Sequence, residues 1–423
     1  MKRIYLQIDK HRDIALLVVL FVSLRLMWLM VSLPDNLTLF GDYPYYYELA
    51  AYSDQGYLPF IHYWSEYPPV FPFLSVGVYQ LVHLFKGGYS TYTYLMALIM
   101  LAFNTGNLVL FLRLARRLCG DEAAVRLGWV YSVLFVPLIY TWWNFDALTV
   151  FSCLLALDLL FNGHELWSAA VTGIGVMVKL MPLLILPAVL RTRPWRRWLA
   201  YGLVTAAVVG AIAVPLLILG GPMALASFRA PLSWSSWSTV WALLDGNLRT
   251  GLLGGTDIHF DLPKATQPVG NPSLVPEWIK LAAFGVLYAV MFWKAKVRQD
   301  LCRLVALVAA TLVVFFLWSK GWSPQWQVIL FPLLLLVLPL RRSVLFILVL
   351  SFVNLAEWPV MLSRGMNQWL YVTTLLRTVV FILLLVELAP TVIGRGDASN
   401  SGMAGLARPE TGQQHGGRDD GNA

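Results

Sequence analysis

Apolar runs of about 20 residues recur along nearly the whole of this chain, and that repetition limits what it can fold into. A run of that length, coiled as a helix, crosses a hydrocarbon layer of ~30 Å. Inside such a layer the backbone polar groups must pair with one another, which leaves helices or closed barrels as the only spanning structures. Charged residues make up 13% of the sequence, against roughly a quarter in a soluble domain. The fold class expected is therefore an all-α polytopic membrane protein of about 11 crossings. Residues 14–33 follow the basic Lys2, Arg3, Lys10 and Arg12 and imitate a signal peptide. The apolar core is too long, carries Arg25 and Trp28, and lacks a small-x-small cleavage signal, so it reads as an uncleaved first helix. Cys119, Cys153 and Cys302 show no C-x-x-C spacing, which implies neither a disulfide framework nor a zinc site.

The net charge of +8 is concentrated in certain loops, so it bears on membrane orientation and says nothing about nucleic acid, which is not expected as a partner. Short basic loops face the cytoplasm. Basic clusters lie at the N-terminus, at Arg113/Arg116/Arg117/Arg126, at Arg191/Arg193/Arg196/Arg197, at Lys294/Lys296/Arg298/Arg303 and at Arg341/Arg342. If all are cytoplasmic, an even number of crossings separates each pair. Two intervals contain three apolar runs and violate that parity. In the first, run 70–85 is short and interrupted by Pro72, Gly77 and His83, and is expected to lie flat in the outer interface or to re-enter. In the second, run 166–190 is split by Lys179 and Pro182 and is expected to form two half-helices. Residues 199–219 then go out, 220–277 form a large outer loop, and spans follow at 279–293, 303–319, 325–340, 343–360 and 369–389. The expected organisation is one integral membrane domain over 1–392, with outer loops 34–91 and 220–277. A cytoplasmic tail, 393–423, is expected to be disordered. No internal repeat of the kind found in many transporters is visible.

One stretch differs from all the rest. Phe40–Pro69 holds Asp42, Glu48, Asp54, His62 and Glu66, eight tyrosines and a tryptophan, and no Lys or Arg. Asp42, just beyond the first helix, is read either as a general base for an acceptor hydroxyl or as an ordinary loop acid. Glu66-Tyr67-Pro68-Pro69 is a stiff polyproline-like turn. Trp142-Trp143-Asn144-Phe145-Asp146 closes a helix hairpin, where Asp146 either caps the following helix or lines a polar pocket. Lys179 lies inside an apolar run, where a cation costs ~2.5–3.5 kcal/mol on insertion scales and marks a functional site by default. Lys320 sits at a helix end, and snorkelling accounts for it more readily. Together the two lysines suit an anionic headgroup, with Arg229, Arg249 and Arg364 as further outer cations. Trp234, Trp237 and Trp241 are expected on one helical face, as an interfacial belt or a sugar-stacking surface. Asp257, His259 and Asp261 lie close in sequence but match no recognised cation loop. Asp158, Glu165 and Glu357, near helix ends, read as structural. Phosphate-loop, dinucleotide-binding, nucleophile-elbow and zinc-protease motifs are missing.

In order along the chain, Asp42, Tyr46, Gly56, Tyr57, Pro59 and Tyr67-Pro68-Pro69 resemble the first outer loop of the glycosyltransferase C superfamily. They are most similar to that of the polyprenol-phosphate-mannose-dependent mannosyltransferases of glycosyltransferase family 87. Asn144-x-Asp146, Lys179 with Pro182 and Pro187, and Ser319-Lys320 with Ser323-Pro324-Gln325 extend the resemblance over residues 12–340. It implies a bundle whose first outer loop carries surface-lying helices, matching the flat 70–85 helix that charge parity requires. It also implies a polyprenyl-phosphate-linked sugar as donor, a glycan, glycolipid or protein as acceptor, inversion by single displacement, and neither metal nor other cofactor. The site expected is then Asp42 as base and Lys179, Lys320, Arg229 and Arg364 on the donor phosphate. Tyr46, Glu48, Glu66, Tyr67, Asp146 and Gln325 are the candidate acceptor or sugar contacts. An oligosaccharide polymerase or ligase using a diphosphate-linked lipid, or a transporter of lipid-linked sugars, are the competing classes.

Overall fold

A computed structural model describes residues 2–251, 254–297 and 300–394, with side chains from residue 12 onward. Among those residues the chain is helical throughout, and its only extended pairings are the isolated bridges Pro59–Tyr63 and Trp237–Gly321. Six helices are long and apolar enough to cross a membrane: Arg12–Val31, Tyr89–Cys119, Trp195–Gly220, Leu301–Trp318, Leu340–Arg364 and Asn367–Ile393. A seventh arises if Asp121–Ser132 and Phe135–Trp143, bent by 54° at their junction, form one span. The bend has a local cause. Pro137 has no N–H for the carbonyl of Val133 and its ring would clash there, so the ladder breaks at Leu134, which is extended. The chain is thus a polytopic helical protein. The helix Glu277–Lys294 has the length of a span but carries Glu277, Lys280 and Lys294. The expected tail lies, from residue 395, outside the described residues, and Ile393 still ends the last helix.

Run 70–85 forms the 15-residue helix Val70–Leu84, too short to cross a hydrocarbon core upright. The run 166–190 splits as expected, into Glu165–Val176 and Leu186–Thr192 with a turn at Lys179 and a short 3-10 stretch, Met181–Ile185, between them. Pro182 and Pro187 each remove a ladder donor. The core sits around Leu301–Trp318 and Leu330–Val337, which are apolar all round and buried almost throughout, the condition for an interior helix. By contrast Leu345, Leu348 and Phe352 of Leu340–Leu355 are exposed, an apolar face suited to lipid.

The two long inter-helix segments pack on each other. Ser227 Oγ accepts from the Ser65 N–H at 2.9 Å, His259 O accepts from the Trp64 N–H at 3.0 Å, and Phe60 lies against Phe228 with ring centroids 5.3 Å apart. Gly220 ends the helix Trp195–Gly220 against the Phe60 carbonyl, where any Cβ would collide with that oxygen. One expectation fails here. Trp234, Trp237 and Trp241 do not share a helical face, because Pro222–Ser233 ends before them and the next helix begins at Val240. Trp237 instead pairs its backbone with Lys320 and Trp322, both bonds at 3.1 Å. Tertiary pairing has overridden the helical spacing.

Candidate active site

Asp42 is fixed through its backbone. It occupies the cap position of the helix Tyr43–Ala51, and its carbonyl accepts from the Tyr46 N–H at 2.9 Å. Its own N–H donates to the Trp143 carbonyl at 2.7 Å. Around it, the Trp143 indole donates to Leu37 O at 3.1 Å and the Trp358 indole to Phe40 O at 2.8 Å. Gly41 allows this approach, since a Cβ there would lie 2.5 Å from Trp143 Cα. The Asp42 carboxylate caps no helix N–H; its Oδ2 accepts from the Tyr46 hydroxyl at 3.0 Å. The side chain is therefore held at its root and left free to accept a proton.

An aromatic floor lies beneath it. Phe71, in the first turn of Val70–Leu84, stacks on Phe145 at 3.8 Å, and Tyr46 meets both rings edge-on at 4.6 and 5.8 Å. Tyr67 stands edge-on to Phe145 at 5.0 Å. The stiff Pro68-Pro69 entry delivers the chain to this helix, and the Val70 N–H donates to Met177 O at 3.0 Å. That bond ties the first long segment to the broken helix that carries Lys179.

Lys179 and Asp146 are both buried, and the ammonium lies 2.7 Å from Oδ1 and 3.0 Å from Oδ2. The ammonium also lies 5.3 Å from the Phe145 ring centroid and 5.9 Å from that of Trp326, within cation–π range. The capping role considered for Asp146 does not occur. It is the first residue of the helix Asp146–Phe161, its own N–H donates to Asn144 Oδ1 at 3.1 Å, and its carboxylate makes no cap. Burial explains the outcome, because an ammonium shut away from water needs a carboxylate more than a helix end does.

A second carboxyl group stands nearby. Glu66 Oε2 lies 3.2 Å from the Tyr45 hydroxyl, which lies 2.5 Å from His259 Nε2. His259 is wholly buried, with Nδ1 2.6 Å from Trp64 O and its ring 4.1 Å from the Trp64 ring. Both ring nitrogens are thus engaged by protein, which removes His259 from the cation-binding cluster considered with Asp257 and Asp261.

The electrostatics separate the two acids. Burial raises Asp42 to about 6, while the Tyr46 hydrogen bond and the charge of Lys179 restrain the rise and Asp146 adds to it. Burial raises Glu66 further, to about 8, assisted by repulsion from Asp42 and opposed by hydrogen bonds with Tyr45 and Tyr67. His259 is lowered to about 4 by burial, against its hydrogen bond with Trp64 and the charge of Asp257. Of the two acids, Glu66 is thus the one held more strongly in its protonated form.

Of the residues singled out in the sequence, the fold brings Asp42, Tyr46, Glu66, Tyr67, Asp146 and Lys179 into one cluster. Gln325 precedes Trp326, whose ring centroid lies 5.9 Å from the Lys179 ammonium. Lys320 is turned elsewhere, donating to Leu232 O at 2.7 Å, and Arg229, Arg364 and Glu48 are exposed. Sequence reading passed over Gly41, Tyr45, Phe71, Phe145 and Trp326 as contributors. The close approach of Trp143 and the aromatic floor exist only after folding, although the Tyr-rich composition of Phe40–Pro69 hinted at the latter.

The pattern of glycosyltransferase family 87 matches residues 66–339, more than half of the 423-residue chain, so the chain belongs to that family. The matched span begins at Glu66 and includes Asp146 and Lys179; Asp42 precedes it and Arg364 follows it. Among curated proteins, none matches the chain.

Proposed function

We propose that this family 87 membrane glycosyltransferase moves a hexose, mannose by preference, from a polyprenyl-phosphate sugar to a glycan, glycolipid or protein acceptor on the outer membrane face. The observation that carries this reading is the convergence of a largely buried, backbone-anchored carboxylate, Asp42, with the buried Lys179–Asp146 pair across an aromatic floor. In the proposed step the acceptor oxygen attacks the anomeric carbon, the bond from that carbon to the phosphate oxygen breaks, and the acceptor proton passes to Asp42. Single displacement inverts the anomeric centre. Negative charge grows on the departing polyprenyl phosphate, and a preorganised cation stabilises it where water is excluded. Lys179 is the cation nearest this chemistry, and it would loosen from Asp146 as the phosphate gains charge. Arg229 and Arg364, and Lys320 once released from the Leu232 carbonyl, are assigned to holding the phosphate on approach.

The fold proposed around this site is a glycosyltransferase C-type bundle with about 11 crossings, in which the shorter apolar helices also span, and with Val70–Leu84 lying in the outer interface. A lipid donor suits that placement, since nucleotide sugars are confined to the cytosol and a cleft framed by helices admits a polyprenyl tail from the side. The test is transfer of label from polyprenyl-phosphate mannose to an endogenous acceptor in membranes containing the protein. Consumption of a diphosphate-linked oligosaccharide, or exchange of lipid-linked sugar across proteoliposomes with no covalent product, would overturn the proposal in favour of a polymerase or a transporter.

A further inference from the structure

The contact between Glu66 and His259 runs through a single hydroxyl, and the count of hydrogens in that contact has a consequence. Trp64 O is a carbonyl and only accepts, so the 2.6 Å approach of His259 Nδ1 requires a hydrogen on Nδ1. A neutral His259 then presents a lone pair at Nε2, and Tyr45, 2.5 Å away, must donate its one O–H there. Tyr45 has no second hydrogen for Glu66 Oε2 at 3.2 Å. Two lone pairs facing each other at that distance repel, so Glu66 must supply the hydrogen. The same number of protons allows one alternative, with His259 doubly protonated, Tyr45 donating to an anionic Glu66, and the charges separated by the phenol. Burying two charges that do not touch is costly, and His259 is wholly buried.

We infer that Glu66, Tyr45 and His259 share protons in one orientation, Glu66 to Tyr45 to His259 to Trp64 O, which holds Glu66 as a neutral carboxylic acid with His259 as its positioning residue. Burial and Asp42 favour the neutral form, against the hydrogen bonds of Tyr45 and Tyr67 at Glu66 and the Trp64 carbonyl and Asp257 at His259. Glu66 is faced by Asp42, Tyr45 and Tyr67, and His259 by Tyr45, Tyr63, Trp64 and Asp257. Asp42 repels a second anion beside it, and the rise of Glu66 to about 8 together with the fall of His259 to about 4 has the same sense. The arrangement joins the two long segments across 214 positions of sequence, so the protonation of Glu66 and the docking of the second segment are linked. Resting on the transfer reading above, the neutral acid adds no anion to Asp42 and the Lys179-paired Asp146 beside the donor phosphate. Loss of the Glu66 proton would add a further negative charge and turn the Tyr45 O–H away from His259.

The decisive measurement is infrared difference spectroscopy on the full-length protein in lipid, wild type against Glu66→Gln, titrated through neutral pH. The expected result is a carboxylic-acid C=O band in the wild type near pH 7, shifting in heavy water and missing from Glu66→Gln. In His259→Phe, Tyr45 is freed to donate to Glu66, and the band is expected to titrate away about one pH unit lower or more. In the transfer assay, kcat/KM of the wild type should fall on the alkaline side near pH 8, and Glu66→Gln should lose that limb while retaining the acid one. A missing band at pH 7, or an unmoved titration in a folded His259→Phe, overturns the inference; if His259→Phe does not fold, the comparison of wild type with Glu66→Gln decides alone. Because the infrared result needs no turnover, it stands apart from the transfer reading: a band without transfer would sink that reading only.

Discussion

Lys179 places its ammonium 2.7 Å from one oxygen of Asp146 and 3.0 Å from the other, so the most deeply set cation of the cluster is held by a partner 33 residues earlier in the chain. The pair meets where the break in one helix faces the first turn of another, and both groups share their field with Asp42. Removing one member strands a buried charge. Asp146→Ala is expected to cost about 3–5 kcal/mol, read as a fall in the thermal midpoint of the purified protein. The double replacement Lys179→Met with Asp146→Leu should regain most of that stability and stay inactive in transfer. A double variant with near wild-type turnover would remove Lys179 from the chemistry.

Asp42→Asn keeps the shape and the Tyr46 contact but cannot take a proton. A positioned base contributes about 10²–10⁴-fold, so transfer to acceptor should fall by that factor while expression and thermal midpoint hold. Substantial retained activity would end the assignment of Asp42 as base.

The acid limb of the pH profile is expected to belong to Asp42. A base must be ionised, and Asp42 is raised to about 6, so kcat/KM should rise with pH through that region and level off above it. The Tyr46 hydrogen bond stabilises the ionised form. Tyr46→Phe should therefore move the limb to higher pH, by about one to two units if the bond is worth about 1.5–3 kcal/mol. A limb that stays in place would mean that another group titrates there.

Gly41→Ala tests whether the backbone approach positions the carboxylate. Its Cβ would lie 2.5 Å from Trp143 Cα and 2.8 Å from Trp143 O, and neither backbone atom can swing aside. Overpacking of this kind costs about 1–3 kcal/mol, and the strain falls on the Asp42–Trp143 bond. We expect a moderate loss of stability with a larger loss of kcat than of acceptor binding. Gly56→Ala, where no atom lies within 4 Å, controls for the general effect of an added methyl, although its positive φ of 81° carries a strain of its own.

Much of the helical layout could be read directly. Helix Val70–Leu84 and the split near Lys179 and Pro182 follow from run length and proline chemistry, which are local properties. Asp42, Glu66 and Lys179 drew notice for the same reason, as charges out of keeping with their surroundings. The cap and the pocket role of Asp146 cannot be separated in the sequence, because a helix start and a buried ion pair look alike until the partner is known. The tryptophans at 234, 237 and 241 were misplaced because periodicity cannot register a backbone pairing with residues 320–322. The contact between Tyr45 and His259 had no local signature at all.

What the sequence determined alone is the class of the molecule, since apolar runs of spanning length in a chain with few charges have no stable alternative in water. It also determined where the polar chemistry gathers, because charges left among such runs are costly unless they serve a purpose. Only the tertiary structure decided that Glu66 holds its proton more strongly than Asp42. That difference depends on burial and on charged neighbours far away in sequence, Lys179 and Asp146 for Asp42, and a group's affinity for a proton is set by the atoms around it more than by its own type.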